Sequence, residues 1–374
     1  GARIAVTVGS RGIANLPVLV RSLVSSIRQA GGEPFIVPAM GSHGGATAEG
    51  QVEVLAGMGV TESAVGAPIR SSMDTVVVGK TPGGNPVYLD RIASQADGIV
   101  VFGRIKPHTA FRGPHESGLY KMIAIGLGNQ RGAEAVHGAG LSRMAANVPA
   151  YARVTLATGK VLFGVAVVEN AFDDTCLIEA MLPDQIAVRE PVLLEEAKRL
   201  MPHIKFDPID VLVCDQIGKN FSGDGMDPNI TASYITPYAT GGPKVERYVI
   251  LDLSEETHGN AIGAGVAHFT TKRVFDKTDF DATYPNALTS RVVLGARMPL
   301  VVATDRMAIQ GAIYTVTEGD PTRPRIVRIA NTSHIDEIEI SETLLDEARE
   351  RKDVEILEGP REWPFDRHGN LLPV

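Results

Sequence analysis

Three histidines and five basic residues, against only two acids, lie between Arg104 and His137 in the stretch RIKPHTAFRGPHESGLYKMIAIGLGNQRGAEAVH. The basic residues are Arg104, Lys106, Arg112, Lys121 and Arg131, and the acids are Glu116 and Glu134. The whole chain carries a net charge of −8, so this positive charge is local. Clustered Arg and Lys in polar loops make an anion site, because the guanidinium fork matches a carboxylate or phosphate. Imidazoles in the same loops add groups that exchange protons near neutral pH. His43 in GSHGG and His108 in KPHTA each follow an extended apolar segment. Two neutral imidazoles on opposite sides of a cleft are suited to act as a pair of general bases. Arg11, in VGSRG at a helix entrance, adds its charge and free backbone N–H groups. His115 is expected in an exposed, solvated loop. His137 ends the short helix GAEAVH, where a position near the helix dipole is the plain structural reading.

Other chemistries fit poorly. MIAIGLGNQRGAEAV has the outline of a strand, a glycine turn and a helix. Its glycines are Gly126, Gly128 and Gly132, one residue too long at the last spacing for a dinucleotide fingerprint. No Asp or Glu lies between Ala135 and Val168, so the acid that would hold the ribose hydroxyls is missing. No HExxH, CxxC pair, GxSxG or P-loop occurs.

The elements that must position these loops read as strands alternating with helices. RIAVTV and EPFIVPAM are strands, LPVLVRSLVSSIRQAGG is a helix closed by glycines, and AEGQVEVLAGMG is helical. TVVVGK and PVYLD are extended, and ADGIVVFGRI and VLFGVAVV are buried strands. This order predicts an α/β fold of two domains with largely parallel or mixed sheets. In such sheets ligands sit beyond the carboxyl ends of the strands. The loops Gly9–Arg11, Gly41–His43 and Arg104–His108 are therefore expected on one rim. A boundary falls where the helix VLLEEAKRLMP gives way to HIKFDP and the new strand IDVLVCD. Domains are expected over residues 1–205 and 206–349. The proline-rich tail, about residues 350–374, is expected to pack back on the first domain.

Composition excludes several partner classes. A chain of 374 residues is long for one core. Its acidic balance argues against nucleic acid, and no apolar run approaches the ~20 residues that span a bilayer. No charged-then-apolar leader is visible, and Cys176 and Cys214 make no disulfide framework. The expectation is a cytoplasmic protein with a small anionic substrate, of undetermined oligomeric state.

The loops together resemble the nickel-dependent lactate racemase family, whose members carry a nickel-pincer nucleotide. Five ordered motifs between residues 8 and 219 carry the resemblance. The family's early loop, which meets cofactor and substrate, is matched by GSR with Ser10 and Arg11. Its Gly-Thr/Ser-His loop, carrying one catalytic base, is matched by GSH with His43, and its Pro-His loop, carrying the other, by PH with His108. A lysine tethers the cofactor through a thioamide, and a histidine 16 residues on ligates nickel; Lys121 and His137 keep that spacing. DQIGK supplies Gln216 and Lys219 for substrate contact. There are two departures. Val8 stands where the family has an acid, and TAFRGPHESGLY is longer than the usual link, adding Arg112 as a further candidate for substrate binding.

The resemblance implies a racemase or epimerase of a 2-hydroxy acid, lactate or a sugar acid. It would take the hydrogen of the hydroxyl-bearing carbon as hydride, with two histidines as acid and base, in a cleft between the two domains. Cofactor-biosynthesis proteins are implied as partners. Three alternatives stay open: a non-catalytic anion- or nucleotide-binding homologue, an NAD(P)-type oxidoreductase, and a cofactor-free isomerase using His43 and His108 alone.

Overall fold

The run RIAVTV lacks polar alternation because both of its faces are covered. In a computed structural model, which describes residues 1–372, this run is β1 (Arg3–Val8). Ile4, Val6 and Val8 face one core while Ala5 faces another. The same division continues in β2 (Glu33–Pro38) and β5 (Gly98–Arg104), whereas β3 (Thr75–Lys80) and β4 (Pro86–Asp90) give their apolar side chains to one core only. In β5, Ile99 and Val101 point to one core and Val100 and Phe102 to the other. A sheet buried on both faces selects continuous apolar strands.

The chain divides into two compact units, one over residues 1–201 and one from Pro202 onward. The first is completed by β6 (Val161–Glu169) and β7 (Thr175–Met181). Its sheet runs β2-β1-β5-β6-β7, with all neighbours parallel except β7, which is antiparallel to β6. The α/β reading is thus borne out. TVVVGK and PVYLD, however, leave this sheet: β3 and β4 pair with each other as an antiparallel ribbon.

The helix Leu16–Gln29 covers one face through Leu16, Val20, Val24 and Ile27, a spacing that keeps four side chains on one stripe. The helices Asn129–His137, Met144–Leu156 and Pro183–Leu200 cover the other. One element differs from its expected type. MIAIG, expected to be a strand, is a buried π-helical turn, Met122–Gly126, directly after the short helix Leu119–Lys121. Its apolar residues are buried in the core under β5 and β6 rather than paired in the sheet. π-turns are rare and occur mostly at functional sites.

The second unit has β8 (Ile209–Ile217), β9 (Val245–Leu253), β10 (Phe269–Thr271), β11 (Leu300–Val302), β12 (Ile326–Ile329) and β13 (Glu339–Ile340). They form one sheet in the order β11-β10-β9-β8-β12-β13, parallel but for the last pair. The tail joins this unit rather than the first domain. Trp363 and Phe365 pack on the second core, Leu371 N–H donates to Asp305 at 2.8 Å, and Arg328 donates to the Leu372 carbonyl at 3.0 Å. The cause is a buried arginine on the second sheet, Arg328, and a buried aspartate at the start of the helix Asp305–Tyr314, both of which need partners that sequence order does not reveal.

Candidate active site in the first unit

The sheet order makes β2, β1 and β5 neighbours, so the loops at their carboxyl ends are neighbours too. Ser10, after β1, reaches His43, after β2: Ser10 Oγ and His43 Nδ1 are 2.5 Å apart. His43 is exposed. Its loop is held from below by Gln51, fully buried, which donates to the carbonyls of Gly41 at 3.0 Å and His43 at 3.4 Å. The loop is also tied to the π-turn. Gly41 N–H donates to the Gly126 carbonyl at 3.3 Å. Gly41 has φ +61° and a Cβ there would meet Ile125, so glycine is required both for the bend and for the approach.

The loop after β1 carries Arg11, which is exposed, and ends on a buried acid. Ala14 N–H donates to Glu169 Oε1 at 2.6 Å, and Glu169 also pairs with Arg104. Val8, which stands where the resembled family has an acid, is buried in the core. The carboxylate that steadies this loop therefore comes from the end of β6.

The segment from Thr109 to Gly118 is wound around two buried carboxylates. Glu116 accepts His108 N–H at 2.8 Å and Gly113 N–H at 3.3 Å, and pairs with Arg112 and Lys198, each at 3.2 Å. Arg112 also donates to the His108 carbonyl at 2.6 Å. Arg112 thus braces the loop that carries His108. Glu190, from the helix Pro183–Leu200, accepts Tyr120 N–H at 2.9 Å and meets His115 Nδ1 at 3.1 Å. His115 is 4% exposed and stacks on Tyr120 with 4.0 Å between ring centroids. The expectation of a solvated His115 is overturned: a buried carboxylate and an aromatic face take the place of water. Glu190 holds the backbone immediately before Lys121.

His108 lies close enough to feel the charges of Lys121 and His137, and His137 that of Lys121. Burial, then the charges of Lys121, His137, Lys106 and Arg112, hold the His108 imidazolium well below the ordinary histidine range. Burial also lowers His137, with Lys121 adding to it, although the bond to Ala133 opposes the shift. His137 Nδ1 lies 2.7 Å from the Ala133 carbonyl, which can only accept. The proton is therefore on Nδ1, and Nε2 carries the lone pair, the tautomer of a metal-ligating histidine. Lys121 is half-buried. Among the described residues, no three His, Cys, Asp or Glu side chains gather to hold a metal ion. His137 Nε2 and the half-buried Lys121 are the side chains here that could hold a cofactor.

The first unit also answers to a known family. Residues 6–148 match the model of the lactate racemase N-terminal domain. This part of the chain is similar to the lactate racemase N-terminal domain. The match includes Ser10, Arg11, His43, His108, Lys121 and His137, and ends before the second unit; the family read from the ordered loops is borne out. No curated protein matches the chain. Among solved structures, the chain is similar to a Thermotoga maritima protein at 13% identity, with TM-score 0.50 over 86% of this chain and 88% of that one. It is also similar to the lactate racemase apoprotein from Thermoanaerobacterium thermosaccharolyticum at 14% identity, with TM-score 0.46 over 81% and 75%. At 13% identity the likeness to the Thermotoga maritima protein is one of fold.

Gln216 and Lys219 lie in the second unit. Gln216 is exposed at the end of β8, where its N–H donates to the Ala330 carbonyl at 2.9 Å. Lys219 is half-buried, its Nζ bonded to Asn286 Oδ1 and its N–H donating to Thr257 Oγ1 at 2.9 Å. Sequence reading missed Gln51, Glu169, Glu190 and Asn286. Glu190 had a signal: with Ile186, Leu194 and Ala197 it sits on the buried stripe of its helix, an unusual place for a lone acid.

Proposed function

We propose that this protein is a racemase or epimerase of a 2-hydroxy acid that works with a nickel-pincer nucleotide tethered to Lys121. The observation that carries this reading is the gathering of Lys121, His137 and His108 in a unit that is similar to the lactate racemase N-terminal domain and also pairs Ser10 with His43. Lys121 would form the tether and His137 Nε2 would ligate the metal. When bound, the group supplies a hydride acceptor for the hydrogen on the hydroxyl-bearing carbon, a hydrogen that side-chain bases remove poorly beside a charged carboxylate.

The chain's own residues supply the rest. His43 and His108 manage the hydroxyl proton. Arg11 holds the carboxylate, and Gln216 and Lys219 contribute to recognition of carboxylate and carbonyl oxygens. Arg112 adds positive charge rather than a fork, because Glu116 and the His108 carbonyl engage its guanidinium.

The test is the intact mass of protein made together with cofactor-biosynthesis enzymes, with peptide mapping across residues 104–137. A covalent addition on Lys121, followed by racemisation in a screen of 2-hydroxy acids, is the expected result. An unmodified Lys121, in cells that load a known family member, would overturn it.

A further inference from the structure

Lys219 takes part, through its backbone and its side chain, in one circuit of hydrogen bonds within the second unit. Its N–H donates to Thr257 Oγ1 at 2.9 Å, in the loop after β9. That hydroxyl donates its own proton to the Asn260 carbonyl at 2.7 Å. Asn260 Nδ2 donates in turn to the Ala282 carbonyl at 2.8 Å, in the helix Phe280–Ser290. Asn286, one turn further along that helix, donates from Nδ2 to the same carbonyl at 2.9 Å and to the Thr283 carbonyl at 3.2 Å. Asn286 Oδ1 accepts from Lys219 Nζ, which closes the circuit.

The partners fix the direction of the Asn286 amide. A carbonyl oxygen can only accept, so both Nδ2 protons are bound within the helix and Oδ1 is turned to the ammonium. A flipped amide would set its oxygen against two carbonyls and its NH₂ against a cation. Back-bonding of this kind to the preceding turn is open to a short polar side chain in a helix. The frame behind it is packed. Thr257, Asn260 and Thr283 are buried, and Thr283 Oγ1 accepts Ala261 N–H at 3.0 Å and donates to the Asp279 carbonyl at 2.7 Å. The loop after β9 is thus fastened to the first turn of the helix that carries Asn286. Lysine has a flexible stem and loses much rotamer freedom when it binds an anion, so an acceptor that holds the ammonium beforehand lowers that cost.

We propose that Asn286 is a positioning residue for Lys219, holding its ammonium in place for an anionic oxygen of the substrate. Lys219 makes the contact, and Asn286 sets where the charge stands. The identity of the anion rests on the racemase reading, whereas the placement of Lys219 is a property of the free protein.

Two measurements test it. In the apo protein, brief labelling with acetic anhydride and peptide mass analysis report the reactivity of Lys219 relative to the exposed Lys80. Asn286→Ala, which removes the acceptor, is expected to raise this ratio severalfold. Asn286→Ser keeps a hydroxyl for the Ala282 carbonyl but is too short for Lys219, and should do the same. An unchanged ratio in either folded variant would overturn the proposal. In loaded protein, Asn286→Ala should raise KM for the 2-hydroxy acid about tenfold, the scale of a hydrogen bond to a charged group, with a smaller change in kcat. In a Lys219→Met background the same substitution should raise KM no further, because coupled residues are not additive. An equal rise in both backgrounds would show that Asn286 does not act through Lys219. A raised labelling ratio in a protein that racemises no hydroxy acid would support the placement of Lys219 and count against the racemase reading alone.

Discussion

Glu116→Ala removes the acceptor shared by two backbone N–H groups, Arg112 and Lys198. Both cations are partly exposed and recover solvation, so the cost comes mainly from the amides that lose their acceptor. We expect about 2 kcal/mol of destabilisation in urea titration, because the loop that carries His108 loses its hub. His108 also gives a pH dependence with a defined sign. Its folded pKa lies below the ordinary 6.5, so between these values the unfolded chain binds more protons than the native one. Its contribution is full above 6.5 and is lost as pH falls through the depressed value. The urea midpoint should fall between pH 7.5 and 5, and fall less in His108→Gln; an equal fall in both would exclude His108 as a source.

The π-turn connects these residues to the sheet. Gly126 approaches the second loop so closely that an added Cβ would sit 2.5 Å from the Ala39 carbonyl oxygen. Gly126→Ala must therefore move either the turn or the loop that carries His43. Overpacking of this kind costs about 1–3 kcal/mol, and the mass test should show reduced loading of Lys121 in the variant. A second brace is the helix Pro183–Leu200, which sends Glu190 and Lys198 to the segment 109–120. The longer link of this chain is thus a packed, hydrogen-bonded element, and His115 is part of its packing.

The two units are each built on a sheet that is parallel except at one edge, and the second is organised around a buried arginine. Arg328 is 2% exposed and pairs with Asp215 and Glu339, both at 2.7 Å. Asp215 directly precedes Gln216, so this pair backs the strand end that carries the expected substrate contact. Arg328→Leu would leave two acids facing each other without their cation. We expect a loss of about 3 kcal/mol or more, since breaking a buried pair strands a charge, measured as a shift of the second unit's unfolding by hydrogen exchange. Simultaneous replacement of Arg328, Asp215 and Glu339 by apolar residues should recover part of it. Among the described residues, no helix is long and apolar enough to cross a membrane.

What the residues determined by themselves were the local periods and the ordered motifs. Unbroken apolar runs such as RIAVTV marked strands covered on both faces, helical spacing marked Leu16–Gln29 and Pro183–Leu200, and four of the five short motifs, in order, marked the likeness of the first unit to a known family. These signals are local, set by side-chain period and backbone preference. The tertiary structure alone decided which distant acids serve the loops. Glu169 reaches Ala14 across 155 positions and Glu190 reaches Tyr120 across 70, because β6 and the helix after β7 are brought beside the site by the sheet order. It also decided that MIAIG is a π-turn, that His115 is buried, and that the tail packs on the second sheet. Each depends on a partner far away in sequence, and burial makes an unpaired polar group costly enough to select that partner.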